Sequence, residues 1–426
     1  IATDAKYWRD SREVYVKKPE MPLNFNTEQK WGCPYDCGLC PDHMQHSCLT
    51  ILEVTDYCNL SCPVCYADSS PAAKNKHRSL DVIEKMLDAI VKNEGEPDVV
   101  QLSGGEPTEH PDFFKIMDLA KARPIRHLML NTNGVKIAND LAFVEKLSKY
   151  SKGFEVYLQF DSFESNTLLK LRGVDLTKVR TKALENLNKF GISTTLVSTL
   201  AKGLNDHEIG KTIEYAQSID CVRGVTFQPV ELAGRIPKQI KGARLTLTEV
   251  RQKILEQSSL FVPEDIIPVP CNPDALAMAY AIKTPLGVMP LTRFIEPEVL
   301  IDAARNTIVF EADTGLKEKI FSTFSTGHGP EDQASCLSDM LCCLPQVQAP
   351  KELTYKNVFR VLIMSFMDAN NFDTRAMKKS CVHIVQPDGR IIPFESFNLL
   401  YRSADQRKIL EERRSEVEVK FFGKKL

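Results

Sequence analysis

The chain has 426 residues, and 54 basic against 56 acidic side chains leave a net charge of −2 with a sequence pI of about 6.5. That balance excludes a general electrostatic footprint for nucleic acid or an anionic membrane surface, and the length allows roughly two or three domains. Thirteen cysteines stand in tight groups with long gaps between them, which argues against a short secreted disulfide scaffold and for metal ligation in a reducing cytoplasm. No run of about 18 apolar residues occurs, because Arg360 interrupts NVFRVLIMSFM and Lys283 interrupts AMAYAIKTPLGVMPL, so no spanning helix is expected. The chain opens at Ile1 rather than at Met, which leaves room for an upstream segment.

Residues 1–32 are polar, carry Pro19 and Pro22, and show no sustained period, so they are expected to form an arm. The stretch WGCPYDCGLCPDHMQHSCLT follows. Cys33, Cys37, Cys40 and Cys48 make a complete four-thiolate set, for which a four-iron cluster, a rubredoxin-like single iron and a structural zinc all fit, the cluster being preferred. His43 and His46 inside this loop are expected to be solvated.

An apolar strand from Leu49 then runs into DYCNLSCPVCYADS, where Cys58, Cys62 and Cys65 form C-x3-C-x2-C. A four-iron cluster normally takes four cysteines, so a loop offering three leaves one iron open to a ligand. Behind Ser79, a helix cap, Leu80, Ile83, Met86, Leu87, Ile90 and Val91 share one helical face. The strand 98–103 ends in Gly104-Gly105-Glu106-Pro107, where two glycines permit close backbone approach and a carboxylate suits an ammonium group. Further strands are expected at 128–130, 154–160, 193–200 and 225–230, separated by helices at 113–122, 139–149, 176–190 and 206–218. Six βα alternations predict a parallel, partly closed barrel with its chemistry at the C-terminal strand ends.

C-x3-C-x2-C at the end of the first strand, GGEP after the second and six βα units together resemble the radical S-adenosylmethionine (SAM) enzymes. The resemblance implies a partial (β/α)6 TIM-like barrel over 49–232, preceded by an arm and metal module at 1–48 and followed by a covering and auxiliary-cluster domain at 233–426. It also implies that Cys58, Cys62 and Cys65 hold a 4Fe–4S cluster whose open iron binds SAM, and that a reductant such as ferredoxin or flavodoxin drives SAM cleavage to a 5'-deoxyadenosyl radical. Carried onto this chain, the SAM site takes Tyr66, Gly104, Gly105, Glu106, Asn133, Gln159, Asp161, Ser198 and Gln228. An aromatic residue usually precedes the third cysteine in that family; here it is Val64, with Tyr66 after the cysteine.

After Glu231 the alternation stops. LTLTEVRQKILEQ reads as a helix, and the proline-rich apolar segment that follows, containing Cys271, is expected to cover the barrel mouth. Cys336, Cys342, Cys343 and Cys381 come later, the last before a hairpin turning at Pro387-Asp388-Gly389. This region resembles the auxiliary-cluster domains of some radical SAM enzymes, with Glu395 where another cysteine often stands. At least one further iron-sulfur or iron centre from Cys271, Cys336, Cys342 or Cys343, and Cys381 is expected, and a second would need a non-cysteine ligand. Cys221 reads as a buried thiol.

From Cys33 to Tyr401 the pattern is similar to a subgroup that contains archaeal tetraether synthases and relatives labelled as pterin methyltransferases. The resemblance implies a cytoplasmic enzyme, with peripheral membrane contact, that joins terminal methyl carbons of two saturated isoprenoid chains of ether phospholipids using two SAM per bond. The alternative is radical C-methylation of a pterin or other heterocycle, which needs a polar ring pocket instead of an apolar tunnel. A peptide-modifying radical enzyme and an iron-sulfur carrier are the remaining readings; a carrier would have no use for GGEP or a SAM pocket.

Overall fold

The computed structural model describes residues 21–240, 242–284, 287–293 and 357–422. Six strands, β1 (Leu49–Thr55), β2 (Val99–Gly104), β3 (His127–Thr132), β4 (Phe154–Gln159), β5 (Thr194–Leu200) and β6 (Val222–Pro229), pair in parallel in chain order. They are followed by β7 (Ile267–Pro268), β8 (Leu276–Thr284), β9 (Gly287–Pro290), β10 (Val358–Met364), β11 (Val382–Val385) and β12 (Ile391–Pro393). β10 extends the parallel run beyond β6 and β11 extends it beyond β1, while β8 and β12 pair antiparallel on those two flanks. The result is one 12-stranded sheet, ordered β12-β11-β1-β2-β3-β4-β5-β6-β10-β8-β7 with β9 on β8. The expected partial barrel is present, and β7 to β12, from beyond residue 232, join its sheet.

Alternation along the strands sorts the apolar residues onto two faces. On β8, Ala277, Ala279 and Ala281 pack with the helices outside, whereas Leu276, Met278, Tyr280 and Ile282 join Leu49, Ile51, Val99, Met129, Tyr157 and Val197 within the barrel. The segment expected to cover the mouth therefore supplies β7, β8 and β9 instead. Its alanines leave room for the outer helices, a pattern that looks less apolar than it is.

The helix Leu80–Glu94 buries Ile83, Met86, Leu87 and Ile90 against the outer face and ends at Gly95, whose φ of 68° suits glycine. Each such side chain contributes about 1.5–3 kcal/mol on burial. Ser79 sits at the cap position without a capping hydrogen bond from its side chain. The expected helix 139–149 is two, Val135–Asn139 and Leu141–Ser148, broken at Asp140, whose carboxylate accepts from the Phe143 N–H at 2.9 Å. A helix at Ser165–Arg172, ended by Gly173 at φ 77°, was not expected. The helix Leu247–Gln257 begins with a reciprocal Thr246–Glu249 capping box.

Arg360, the charge that interrupts the apolar run of β10, points into the barrel and pairs with the fully buried Glu155 at 2.5 Å. Burial opposes ionisation of Glu155, but Arg360 and His127 overcome it and hold the carboxyl well below its usual range.

Candidate active site

The loop after β1 is held from three sides. Its Thr55 and Tyr57 carbonyls accept the Gly105 and Glu106 N–H groups, both at 2.8 Å. Cys65 and Arg235 exchange backbone hydrogen bonds at 2.9 Å, and the Arg235 guanidinium donates to the Cys62 carbonyl at 2.7 Å and the Ser69 carbonyl at 2.7 Å. On the third side the Val64 N–H donates to Leu171 of the unexpected helix, at 3.2 Å.

Cys58, Cys62 and Cys65 line one cleft at the C-terminal strand ends, together with Tyr66, Gly104, Gly105, Glu106, Asn133, Gln159 and Gln228. The Leu60 N–H points at the Cys58 sulfur from 3.4 Å and the Asn133 amide from 3.9 Å. Burial pushes the Cys58 thiol up to about 12, with Glu106 adding to it; burial also raises Cys62, opposed by Arg172. A bound metal reverses that preference, since coordination removes the thiol proton. Val64 stands on the cleft wall, and the Tyr66 hydroxyl lies 3.2 Å from the Ser103 hydroxyl while its ring meets Phe394 edge-on at 5.2 Å. A polar ladder continues from Ser103 to Asn131 at 3.2 Å and from Asn131 to Gln159 at 2.9 Å. Gln228 donates to the Tyr157 hydroxyl at 3.2 Å.

Two expectations change. Asp161 does not line the cleft: its backbone turns left-handed at φ 62° and its carboxylate lies beneath, bound by Arg172 and Arg180, each at 2.6 Å. Burial opposes ionisation of Asp161, and the two guanidinium groups more than offset it, keeping the carboxyl below its usual range. Ser198 faces away from the cleft and its hydroxyl is buried without a hydrogen bond; the next residue, Thr199, lines the cleft, as period-two alternation requires. Glu106 lines the cleft and braces it as well: Oε1 accepts from the Thr108 N–H and hydroxyl and the Thr132 hydroxyl, and Oε2 accepts from the Asn133 N–H, at 2.7–3.2 Å.

The cleft also holds residues the sequence did not single out. Arg172 donates to Thr199 at 2.9 Å and Gln159 at 3.0 Å, and the Nη1 of Arg180 is buried without a hydrogen-bond partner among the described residues. Glu231, where the alternation stopped, lines the wall with Oε2 buried and without a hydrogen-bond partner among the described residues. Burial, then the nearby Glu395 and Asp368, push its carboxyl well above the usual range. Arg172 and Arg180 sit in helical patterns, LLKLRG and TKVRTK, where charges ordinarily mark a solvated face; a strand-end position was the only signal for Glu231.

The remaining cysteines regroup. Cys48 leaves the N-terminal set and lies with Cys271 and Cys381, all three buried and their sulfurs within 4.8 Å of one another. Register is the cause: β1 pairs β11 from Leu49 opposite Val382, so the residues just before each strand meet. Cys33 and Cys37 share a hydrogen bond, Cys40 lies within their field, and the Cys37 thiol donates to the Ser396 hydroxyl at 2.9 Å. His43 is buried rather than solvated, with Nε2 3.0 Å from both the Ser380 carbonyl and the His383 Nε2. His46 is largely buried as well, with Nδ1 2.9 Å from Glu94. Ser380 donates to Glu395 at 3.0 Å. Cys221 is buried at the start of β6, and Cys336, Cys342 and Cys343 lie outside the described residues. Among the described residues no helix is long and apolar enough to cross a membrane.

A model of the Radical SAM superfamily matches residues 52–216. Over an alignment of 459 residues, the chain is 31% identical to 7,8-dihydro-6-hydroxymethylpterin dimethyltransferase of Methanocaldococcus jannaschii, covering 94% of this chain and 87% of that protein. A probable GTP 3',8-cyclase of Methanococcus vannielii is 25% identical over 215 residues, 50% of this chain and 67% of that one. Among solved structures, Streptococcus suis SuiB is similar with a TM-score of 0.41 at 19% identity, covering 50% of this chain and 46% of that chain. The family works with SAM, a 4Fe–4S cluster and a reductant, and the cysteine-rich sites here fit auxiliary centres. Motif, barrel and near full-length likeness agree: the chain is a member of the radical SAM superfamily.

Proposed function

We propose that this chain is a radical C-methyltransferase that replaces a C–H bond of a reduced pterin, or a closely similar heterocycle, with C–CH3. The observation that carries the reading is the 31% identity, over 94% of the chain, to a protein named for that activity. This reading takes the place of the lipid coupling expected from the sequence.

The residues present fit the cofactors of the family. Three thiols face one cleft, and two buried polar atoms on its wall, Arg180 Nη1 and Glu231 Oε2, have no hydrogen-bond partner among the described residues. In this reading Cys58, Cys62 and Cys65 hold the cluster, with Tyr66, Asn133, Gln159 and Gln228 on the SAM side. When bound, the cluster and SAM supply a 5'-deoxyadenosyl radical able to take hydrogen from unactivated carbon, at the cost of one electron from the reductant. Arg172 and Arg180 offset the negative charge that three thiolates bring, and their positions are fixed by Asp161. Burial pushes the Glu231 carboxyl well above its usual range, and in its protonated form it would offer one donor and one acceptor side by side, which complements the amide edge of an oxopyrimidine ring.

The test is anaerobic turnover with SAM, dithionite and 7,8-dihydro-6-hydroxymethylpterin, with a saturated diether phospholipid in a parallel reaction. Mass spectrometry is expected to show the pterin heavier by one or more methylene units together with 5'-deoxyadenosine. Glu231→Gln, which keeps a donor and an acceptor, should retain more of this activity than Glu231→Leu. 5'-Deoxyadenosine formed over an unchanged pterin and a dehydrogenated, coupled lipid would restore the synthase reading.

A further inference from the structure

We infer that the buried Glu53–Arg402 ion pair tunes the reduction potential of the cluster at Cys58, Cys62 and Cys65, with Arg402 favouring the reduced form and Glu53 holding that bias in check. The inference rests on the reading that those three cysteines carry the cluster. Glu53 belongs to β1, the strand that leads into the cysteine loop, whereas Arg402 comes 349 positions later, far outside the residues that the superfamily model matches.

The pair sits against the loop. Glu53 lies opposite Ser103 in the register of β1 on β2, and the Ser103 hydroxyl is 3.2 Å from that of Tyr66, the residue after Cys65. The Arg402 guanidinium stands 5.8 Å from the centre of the Tyr66 ring and 4.7 Å from that of Phe397. Its pairing with Glu53 is bidentate, Nη2 donating to Oε1 at 2.7 Å and Nη1 to Oε2 at 3.3 Å. Nε donates to Asn398 Oδ1 at 2.7 Å, from the π-helical turn Phe397–Tyr401 just before it. All three nitrogens are thus engaged, and the guanidinium acts on the loop through its field.

Little water screens that field. The side chains of Arg402 and Glu53 are 16% and 4% exposed, and aromatic rings close around them, Phe394 lying 5.2 Å from Tyr66 and 4.3 Å from Phe366. Burial opposes the charge on Arg402, but Glu53, Tyr66 and Cys65 more than offset it. Burial likewise opposes ionisation of Glu53, and Arg402 more than offsets that. Both groups therefore remain charged beside the loop. Reduction moves one electron from the reductant onto the cluster, adding a negative charge where three thiolates already stand, so a neighbouring cation favours the step and a neighbouring anion opposes it. A unit charge acting over ~10 Å through an effective dielectric of ~20 changes such an equilibrium on the order of tenfold.

The full chain, reconstituted anaerobically, would be titrated with dithionite and followed by electron paramagnetic resonance as wild type, Arg402→Gln, Arg402→Lys and Glu53→Gln. The relevant cluster is the one whose signal changes when SAM is added. Its midpoint should fall by about 59 mV, a tenfold change in the one-electron equilibrium, in Arg402→Gln, rise in Glu53→Gln and stay near wild type in Arg402→Lys. Iron content and near-ultraviolet circular dichroism would show that each variant is folded and loaded. Looser packing would move both glutamine variants the same way, so the opposite signs distinguish a charge effect from a structural one. Shifts of one sign, or wild-type midpoints in both variants, overturn the proposal. If Arg402→Gln does not hold its cluster, Glu53→Gln decides alone, and a midpoint that fails to rise counts against it. A wild type without any SAM-sensitive signal would sink the ligand reading and the tuning together, whereas a normal signal with unshifted variants sinks the tuning only.

Discussion

The charge balance beneath the cleft rests on one side chain. Asp161 is 1% exposed and bonds Arg172 through Nε at 2.8 Å and Nη2 at 2.6 Å, and Arg180 through Nη2 at 2.6 Å. Those two guanidinium groups are themselves buried and lie next to each other, so the carboxylate is what allows both to remain charged there. Asp161→Asn keeps the shape and removes the charge. We expect it to cost about 3–5 kcal/mol, the usual penalty for breaking a buried ion pair from one side, and to lower cluster retention, because Arg172 also steadies the Val64 carbonyl and the Cys62 thiol. Thermal melts and iron content of wild type and variant check this; an unchanged melt would show that the arginines find solvent instead. The sequence marked Asp161 as important from its place after β4 but gave it the wrong task, since a strand-end acid looks the same whether it faces a ligand or two arginines 11 and 19 residues further on.

At the scale of elements, the GGEP turn shows how a motif can have a structural cause that its pattern does not reveal. Glycines were expected there so that backbone could approach a ligand. In the fold they let the end of β2 pass against the end of β1: a Cβ on Gly105 would overlap the Tyr57 carbonyl, and one on Gly104, at φ 117°, would overlap that of Thr55. The crossing positions the cysteine loop, so Gly105→Ala should cost on the order of 3 kcal/mol through overpacking and displace Cys58. Gly203→Ala is the contrast: its φ is 73° but no described residue lies within 4 Å, so the left-handed penalty of about 1–2 kcal/mol is what applies. Denaturant melts of the two variants, with iron content alongside, separate the cases; equal iron retention would contradict a positioning role for the crossing. The six strands were legible because alternation and β-branched runs survive in sequence, and the hairpin because Pro-Asp-Gly fixes its turn. The helix Ser165–Arg172 was not, being only two turns long with Thr167, Leu168 and Leu171 as its buried side chains. β10, β11 and their places beside β6 and β1 depend on long-range pairing that no local pattern encodes.

Across the whole molecule, the two ends of the described chain meet at the N-terminal mouth of the barrel. The segment 33–48 packs on the segment 380–402: the Tyr401 hydroxyl donates to the Pro34 and Tyr35 carbonyls at 2.8 Å, and a buried chain runs from Ser47 to His383 Nδ1 at 3.0 Å and on to His43. Burial depresses His43 to about 4, and burial together with His43 depresses His383 well below its ordinary value, so both imidazoles are neutral in the fold. The sign follows from the protons bound. Between pH ~6.5 and ~4 the unfolded chain takes up protons that the folded chain refuses, so stability is complete above the unfolded value near 6.5 and falls as the pH drops toward 4. His43 alone accounts for about 3 kcal/mol over that window and about 1 kcal/mol by roughly pH 5.5. Urea midpoints of the full chain should therefore decline from about pH 7.5 to about pH 5.5, and a His43→Gln, His383→Asn double variant, which keeps hydrogen bonding without a titrating ring, should decline less. Equal slopes in the two proteins would mean that the acid sensitivity arises elsewhere, with the thiolate centres on either side of this chain the next place to look.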